Sequence, residues 1–173
     1  MTSWVGIGDP SSPRMAGREI VIAWAGRHQR ANWEEICADY RRRIARFGPV
    51  RDLPVKARES GDDPGRRRAE GRALLAALPE PSYVVALDSR GKAVDSAGLA
   101  AQLSRLQDEW PHAIAFLIGS DLGLDPEVQG AARWVLSLGP LTLSHELARA
   151  VLYEQLFRAL SIAAGMSYHR EPI

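Results

Sequence analysis

The side chains most able to do chemistry are concentrated in the last third of the chain. His145 and Arg149 stand four residues apart, and Tyr168, His169 and Arg170 follow one another near the C-terminus. Histidine transfers protons near neutral pH, arginine binds phosphate or developing negative charge, and tyrosine stacks on a base or hydrogen-bonds to it. Because a chain terminus normally frays, we expect this tail to fold over a site. His145 is also a candidate, although a lone histidine near a helix start more often orients or packs.

Two glycine-bearing loops precede these residues, each after an apolar stretch typical of a strand. They are IAFLIGSDLG (residues 114–123) and WVLSLGPLTLSHELAR (residues 134–149). Glycine allows close backbone approach, and open α/β sheets bind ligands beyond the carboxyl ends of their strands. At Gly119 we expect a side chain to block a flat ring from stacking on the backbone. The apolar, irregular LSLGPLTLSH predicts a buried segment whose backbone N–H and C=O groups find a ligand such as adenine.

Other site types find little support in the sequence. Neither the dinucleotide G-x-G-x-x-G nor the P-loop motif is present, and there is no G-x-S-x-G nucleophile elbow. His112, His145, His169 and the single Cys37 match no zinc spacing, so no metal is predicted. The polar turn at residues 88–92 follows the apolar stretch YVVAL, and is either a ligand wall or simply a turn.

Apolar stretches alternate with helical patterns along the chain, which predicts a mostly parallel sheet with helices on both faces. Asn32 and Ser96 are predicted helix caps, and Gly165 ends the last helix. Pro54 marks an edge strand or a strand end. The predicted strands are 20–24, 50–55, 83–87, 113–118 and 135–138, and the predicted helices are 33–47, 64–78, 97–110, 126–133 and 147–164.

Composition fits one globular domain, with 46% hydrophobic and 25% charged residues among 173. No apolar run approaches the roughly 20 residues that span a bilayer, so no membrane contact is predicted. The single Cys37 excludes an internal disulfide framework and fits a cytoplasmic protein; a core position is expected for it. Residues 1–18 carry Gly, Pro and Ser without hydrophobic periodicity. We interpret them as a disordered N-terminal extension before a single domain at 19–173.

Arginine is unevenly distributed although the net charge is only +1. Four arginines lie between residues 41 and 46, and three more at 66–68. Such a patch suits an RNA backbone, whose condensed counterions are released on binding. The alternative is a solvated helix face partly offset by neighbouring acids. The last helix is apolar on more than one face, which suggests a partner such as an identical subunit.

Taken together, these motifs resemble the ribosomal large-subunit RNA pseudouridine N3-methyltransferases, the RlmH family of the SPOUT methyltransferase class. The resemblance rests on FLIGSDLG, LSLGPLTLSH followed by Arg149, VLYEQLFRALSI and the final YHRE. It implies an α/β fold with a C-terminal deep trefoil knot, a homodimer and S-adenosylmethionine as methyl donor. The implied reaction is methylation of N3 of a pseudouridine in 23S rRNA on the assembled ribosome.

The resemblance also assigns residues. The family has a second glycine where Ser120 stands and a proline where Ser144 stands; we expect Ser120 to narrow the cofactor entrance and Ser144 to loosen the backbone before His145. The implied cofactor contacts are Leu87, Gly119, Leu138, Gly139, Pro140, Leu141, Thr142 and Leu143.

The expected mechanism uses the tail. His169 accepts the imide proton or relays it, Tyr168 positions the base, and Arg170 and Arg149 contact RNA phosphate or developing charge. We expect a neighbouring subunit's tail to close the pocket. Two alternatives stay open: a non-catalytic RNA-binding or ribosome-assembly dimer of the same fold, and the same chemistry on a different RNA.

Overall fold

The computed structural model describes residues 17–26, 30–56 and 61–170, without the side chains of His169 and Arg170. The predicted extension therefore lies outside this range except for Gly17 and Arg18. These two residues are anchored, because Gly17 N–H donates to the Phe47 carbonyl at 3.2 Å and Arg18 N–H to the Gln107 side chain. Within the described residues, no helix is long and apolar enough to span a membrane.

A five-stranded parallel sheet forms the centre of the molecule. Its strands are β1 (Ile20–Ala25), β2 (Val50–Val55), β3 (Ser82–Ala93), β4 (Ala113–Ile118) and β5 (Trp134–Ser137). They are arranged in the order β2-β1-β4-β3-β5. The predicted α/β fold is confirmed, and Pro54 lies in an edge strand, where its missing N–H is tolerated. The trefoil knot implied by the resemblance stays a prediction.

Helices cover both faces of the sheet because the strand side chains alternate between two apolar clusters. Ile20, Ile22 and Trp24 face one cluster, and the intervening residues of β1 face the other. The first face carries α1 (Ala31–Ile44), α3 (Ser96–Glu109) and α5 (His145–Ala163), and the second carries α2 (Asp63–Ala77) and α4 (Pro126–Ala131). A short 3-10 helix, Ser167–Arg170, packs on α5.

The predicted helix caps were placed incorrectly. Helix α1 begins after Arg30, so Asn32 lies inside it, and α3 is capped by Asp95, which accepts from the Gly98 N–H at 2.7 Å, rather than by Ser96. At the other end of the chain, Gly165 follows α5 with a φ of +70°, as predicted. The errors are of one or two residues: α1 begins without a side-chain cap, and at α3 Asp95 and Ser96 are adjacent residues that both favour the cap position.

Strand β3 continues through the predicted turn. Leu87 and Lys92 both pair with Leu136, so the residues between them leave the ladder before pairing with β5 resumes. The polar segment is therefore an irregularity within a longer strand, and it stands out from the sheet beside the ends of β4 and β5.

The two arginine groups do not form one patch within the chain. Helix α1, which carries the arginines at 41–43 and is followed by Arg46, packs against α5, whereas α2, with the arginines at 66–68, packs against α4. They lie on opposite faces of the sheet. Several are paired locally: Asp39 lies 3.1 Å from Arg42 and 2.7 Å from Arg43.

Candidate functional site

A cleft of about 290 Å³ opens where β3 leaves the ladder and where β4 and β5 end. Three loops and the first turn of α5 form its walls. This is the position at which parallel sheets bind ligands. Every predicted cofactor contact except Pro140 lines it, namely Leu87, Gly119, Leu138, Gly139, Leu141, Thr142 and Leu143.

Ser137, which the sequence analysis missed, joins two walls of the cleft. Its buried hydroxyl lies 3.1 Å from the carbonyl oxygens of both Ser89 and Gly139, and it accepts from the Gly139 N–H at 3.1 Å. Gly139 has a φ of +129°, a conformation that favours glycine. The hydroxyl and the glycine together set the sharp bend with which the last loop begins.

The last loop is not buried as predicted. Leu141 is 78% exposed, and Pro140 and Thr142 are exposed too. Within the part of the chain that the structure describes, the backbone N–H groups of Leu141, Thr142 and Leu143 have no hydrogen-bond partner. The loop therefore presents an apolar side chain and free backbone donors at the rim of the cleft, both available to a ligand.

The structure adds a second reason for a glycine at position 119. A Cβ at this position would lie 2.5 Å from the carbonyl carbon and 2.6 Å from the carbonyl oxygen of Gly123. The glycine thus allows the loop to fold back on itself, closed by the Gly123 N–H to Ser120 carbonyl bond at 3.0 Å. The shape of this wall depends on that close approach.

The two serines that depart from the family pattern both make hydrogen bonds. Ser120 Oγ donates to Glu70 Oε2 at 2.6 Å, which ties the cleft loop to α2. Ser144 caps α5 by accepting from the Leu147 N–H at 3.3 Å. The expected loosening ahead of His145 is therefore offset by a helix cap.

Asp88 is the acidic side chain on the wall formed by the β3 irregularity. Arg90 donates to it at 3.0 and 2.9 Å, and Gln129 Nε2 at 2.8 Å. The Arg90 hydrogen bond lowers the pKa of the Asp88 carboxyl. The cleft thus contains a fixed negative charge, with an exposed guanidinium beside it.

His145, the first residue of α5, also lines the cleft. Its Nε2 atom is enclosed and has no hydrogen-bond partner among the described residues. A Cβ on Gly26 would lie 2.8 Å from that nitrogen, so a glycine at the end of β1 leaves room for the ring. Because this nitrogen is enclosed, the ring contributes to the cleft as part of its wall.

Arg149 lies in a buried ion-pair network instead of at the surface. Its guanidinium, 3% exposed, lies 2.8 Å from Glu34 Oε2 and 2.8 Å from Asp52 Oδ2. Asp52 Oδ1 accepts from Arg149 Nε at 3.0 Å and from the Tyr153 hydroxyl at 2.7 Å, while Oδ2 accepts from Trp24 Nε1 at 3.0 Å. This geometry contradicts the predicted phosphate contact, because the guanidinium is enclosed and already paired with carboxylates.

The network shifts several pKa values. Burial is the largest single influence on the pKa of Arg149 and lowers it, but the charge and hydrogen bond of Asp52, the Cys37 charge and the Glu34 hydrogen bond together outweigh it, so the net shift is upward. Burial, together with Asp52, raises the pKa of Tyr153. Burial raises the pKa of the Cys37 thiol to about 11. Cys37 is therefore a core residue, as predicted, and the network positions the first turn of α5.

Tyr168 does not reach the cleft of its own chain. The Tyr168 hydroxyl lies 3.3 Å from Tyr40 and donates to Glu154 at 3.3 Å, and its ring packs edge-on against Phe157. Glu154 is nine residues beyond His145, or about 13 Å along the helix axis. Residues 145 and 168, adjacent in the predicted site, are therefore separated within one chain.

Sequence reasoning missed the residues that hold Arg149, Asp52 above all. Its signal is weak: one acid in the short edge strand VRDLPV. Among the side chains that the structure describes, no group of three or more His, Cys, Asp or Glu is placed to hold a metal.

Comparison with known proteins decides the family. Residues 19–169 match the family described as "Predicted SPOUT methyltransferase". The chain belongs to the SPOUT methyltransferases. The SPOUT match includes all three cleft loops, the whole of α5 and the tail as far as His169, which confirms the resemblance drawn from the motifs.

Relatives of this SPOUT methyltransferase share one name, "Ribosomal RNA large subunit methyltransferase H". The protein from Solidesulfovibrio magneticus is 44% identical over 137 residues, covering 79% of this chain and 89% of the relative. That from Nitrobacter winogradskyi is 40% identical over 159 residues, covering 88% and 99%. A solved "Probable Methyltransferase from Bordetella pertussis Tohama I" superimposes with a TM-score of 0.50 at 18% identity, covering 83% of this chain and 96% of that one. This last likeness supports the fold alone.

Proposed function

We propose that this protein transfers a methyl group from S-adenosylmethionine to N3 of a pseudouridine in 23S rRNA, acting on the assembled ribosome in the cytoplasm. The name shared by the relatives supports the large-subunit rRNA. The motif resemblance supports the nucleotide and the atom. The observation that carries the proposal is the cleft itself, where loops from three strands bring together residues spread over more than fifty positions.

The cleft suits the methyl donor chemically. Leu87, Leu138 and Leu143 supply apolar walls for an adenine ring, and the unpaired backbone N–H groups of the last loop suit its polar edge. Asp88 offers a carboxylate to ribose hydroxyls or to the amino group. At about 290 Å³ the space lies at the lower end of the range for small-molecule pockets. When bound, the sulfonium donor supplies an electrophilic methyl group.

The acceptor nitrogen carries a proton that must leave, so a positioned base accelerates the reaction. We assign the role of proton acceptor to His169. Tyr168 would hold the pseudouridine ring, and Arg170 would contact phosphate. Because Tyr168 packs beside Glu154, which lies about 13 Å along α5 from His145, these residues would come from a second subunit. The protein would therefore act as a homodimer with composite sites.

Arg149 has a positioning role in this proposal. Its ion pairs with Glu34 and Asp52 hold the first turn of α5, and with it His145, against the cleft. The His145 ring is then held at the cleft wall, where it shapes the space for the donor. Arg170 takes over the phosphate contact.

Two measurements test the function. Mass spectrometry of 23S rRNA, from cells with and without the protein, should show one methylated pseudouridine that depends on it. Calorimetry should show that the purified protein binds S-adenosylmethionine. Absence of donor binding would favour a non-catalytic RNA-binding dimer, and a methyl group at another nucleotide would favour a different RNA target.

A variant pair tests the composite site. His169→Ala should slow methylation by about 10²–10⁴-fold while donor affinity is unchanged, whereas the matched control His112→Ala, at an exposed position, should leave both unchanged. Mixed dimers of His169→Ala with a cleft-blocked Gly119→Val chain should recover activity that neither variant has alone. No recovery in verified mixed dimers would refute a tail donated by the neighbouring subunit.

A further inference from the structure

A second cavity, of about 370 Å³, lies between α3 and the outer edge of the sheet. Three cations line it: Lys92 from the end of β3, Arg105 from α3 and Arg133 from the start of β5. The rings of Tyr83 and Trp134 form part of its wall. Basic side chains around half-buried aromatic rings are typical of sites that bind unpaired nucleotides.

The positive charge of this groove is largely uncompensated. Of the ion pairs within the described residues, one involves these cations, a 3.9 Å contact between Arg105 and Glu109 in which both side chains are more than half exposed. Such exposed pairs are weak. Arg133 stacks over the Trp110 ring at 4.9 Å and stays exposed. By contrast, two of the α1 arginines are compensated, because Asp39 forms ion pairs with Arg42 and Arg43.

The groove and the methylation cleft lie at opposite ends of strand β5. Trp134 begins β5 at the groove, and the strand runs directly into the loop that starts at Leu138 and lines the cleft. Four residues of strand span about 13 Å. Lys92 also pairs with Leu136, between the two cavities. A nucleotide in the cleft therefore has neighbours on its own strand within reach of the groove.

We propose that this groove binds a single-stranded segment of the RNA substrate next to the target nucleotide, with Lys92, Arg105 and Arg133 on phosphates and a base stacked on Tyr83 or Trp134. The inference rests on the proposed function for the identity of the substrate. It adds a binding surface at the edge of the sheet opposite β2, away from both arginine groups noted in the sequence.

The test compares two charge-matched triple variants of the full chain. The first is Lys92→Gln/Arg105→Gln/Arg133→Gln. The second, a control with one lysine and two arginines elsewhere, is Lys56→Gln/Arg51→Gln/Arg72→Gln. Binding of a short fluorescein-labelled single-stranded RNA is followed by anisotropy between about 50 and 200 mM salt, with thermal unfolding and donor calorimetry to confirm folding.

The groove variant should bind RNA at least about tenfold more weakly, and the slope of log affinity against log salt should decrease by about two, since each lost phosphate contact on a single strand contributes roughly 0.7. The control should stay within about twofold of the parent. An equal loss in both variants, or an unchanged slope in the groove variant, would overturn the inference. Failure of the parent to methylate rRNA would instead overturn the proposed function, because RNA binding is measured separately.

Discussion

Replacing Asp52 with alanine tests the role assigned to the buried network. The Asp52 carboxylate accepts hydrogen bonds from Arg149, Tyr153 and Trp24, and the Asp52 and Arg149 side chains are 8% and 3% exposed. The Asp52→Ala variant leaves a buried guanidinium with Glu34 as its remaining close carboxylate, and two further donors without their acceptor. Because α5 begins next to this network, we expect both stability and donor binding to suffer.

The expected loss of folding stability follows from removing one partner of a buried ion pair, which lowers the free energy of unfolding by about 3–5 kcal/mol. For a chain of 173 residues, each 1 kcal/mol lowers Tm by roughly 2–4 °C. The expected decrease is therefore about 6–20 °C. Removing both charges, in Asp52→Ala/Arg149→Met, should be less damaging than the sum of the two single changes, with a coupling of about 0.5–3 kcal/mol.

Urea unfolding and calorimetric Tm values measure these effects. The control is Asp39→Ala, because Asp39 is 40% exposed and pairs with Arg42 and Arg43 at the surface. Its loss should cost about 0.2–1 kcal/mol. If Asp52→Ala lowers the free energy of unfolding no more than Asp39→Ala does, the network does not hold α5. The same follows if the loss in the Asp52→Ala/Arg149→Met variant equals the sum of the two single losses.

Three further predictions follow from single positions. Gly119→Ala should lower the free energy of unfolding in urea by about 1–3 kcal/mol and weaken donor binding, since its Cβ would lie 2.5 Å from the Gly123 backbone. The control Gly130→Ala, with nothing within 4 Å of its Cβ, should be neutral or stabilising. Equal losses of stability in the two variants would contradict this prediction. The folded pKa of Asp88 is lowered by Arg90, so its charge stabilises the fold above its unfolded pKa, and this contribution is lost as pH falls through the folded pKa. The stability gap between the parent and Asp88→Asn should accordingly narrow below about pH 4, and a gap independent of pH would count against the ion pair. Cys37, buried and with a pKa of about 11, should resist iodoacetamide at pH near 8 until the protein unfolds, and rapid labelling of the native protein would contradict its core position.

Much of the architecture could be predicted from the sequence because it depends on local patterns. Alternating apolar stretches and helical periodicities predict all five strands and all five α-helices of the described residues, mostly with boundaries within a few residues, but not the 3-10 helix Ser167–Arg170. The largest error was at β3, where a polar segment was interpreted as a turn although the strand resumes beyond it. The energy that returns Lys92 to the ladder comes from pairing with Leu136, which is distant in sequence and leaves no local signal.

The helix α1 shows the limit of periodicity. Spacings of three and four place Ile36 on one apolar face of this helix with Tyr40 and Ile44, yet Ile36 is 42% exposed, and Cys37 beside it is fully buried. Residues spaced by three and four define an apolar stripe along a helix, but not the exact direction in which that stripe faces. Packing against α5 decides which residues along the stripe are buried.

The sequence by itself determined the α/β class, the order of the elements and the loops that line the cleft, because these depend on residue types and spacings along the chain. Only the tertiary structure decided that Arg149 is buried against Asp52, that the arginine groups lie on opposite faces, and that the tail lies far along α5 from its own cleft. Each of these depends on how segments far apart in sequence meet, and a buried ion pair leaves no periodic trace in either partner.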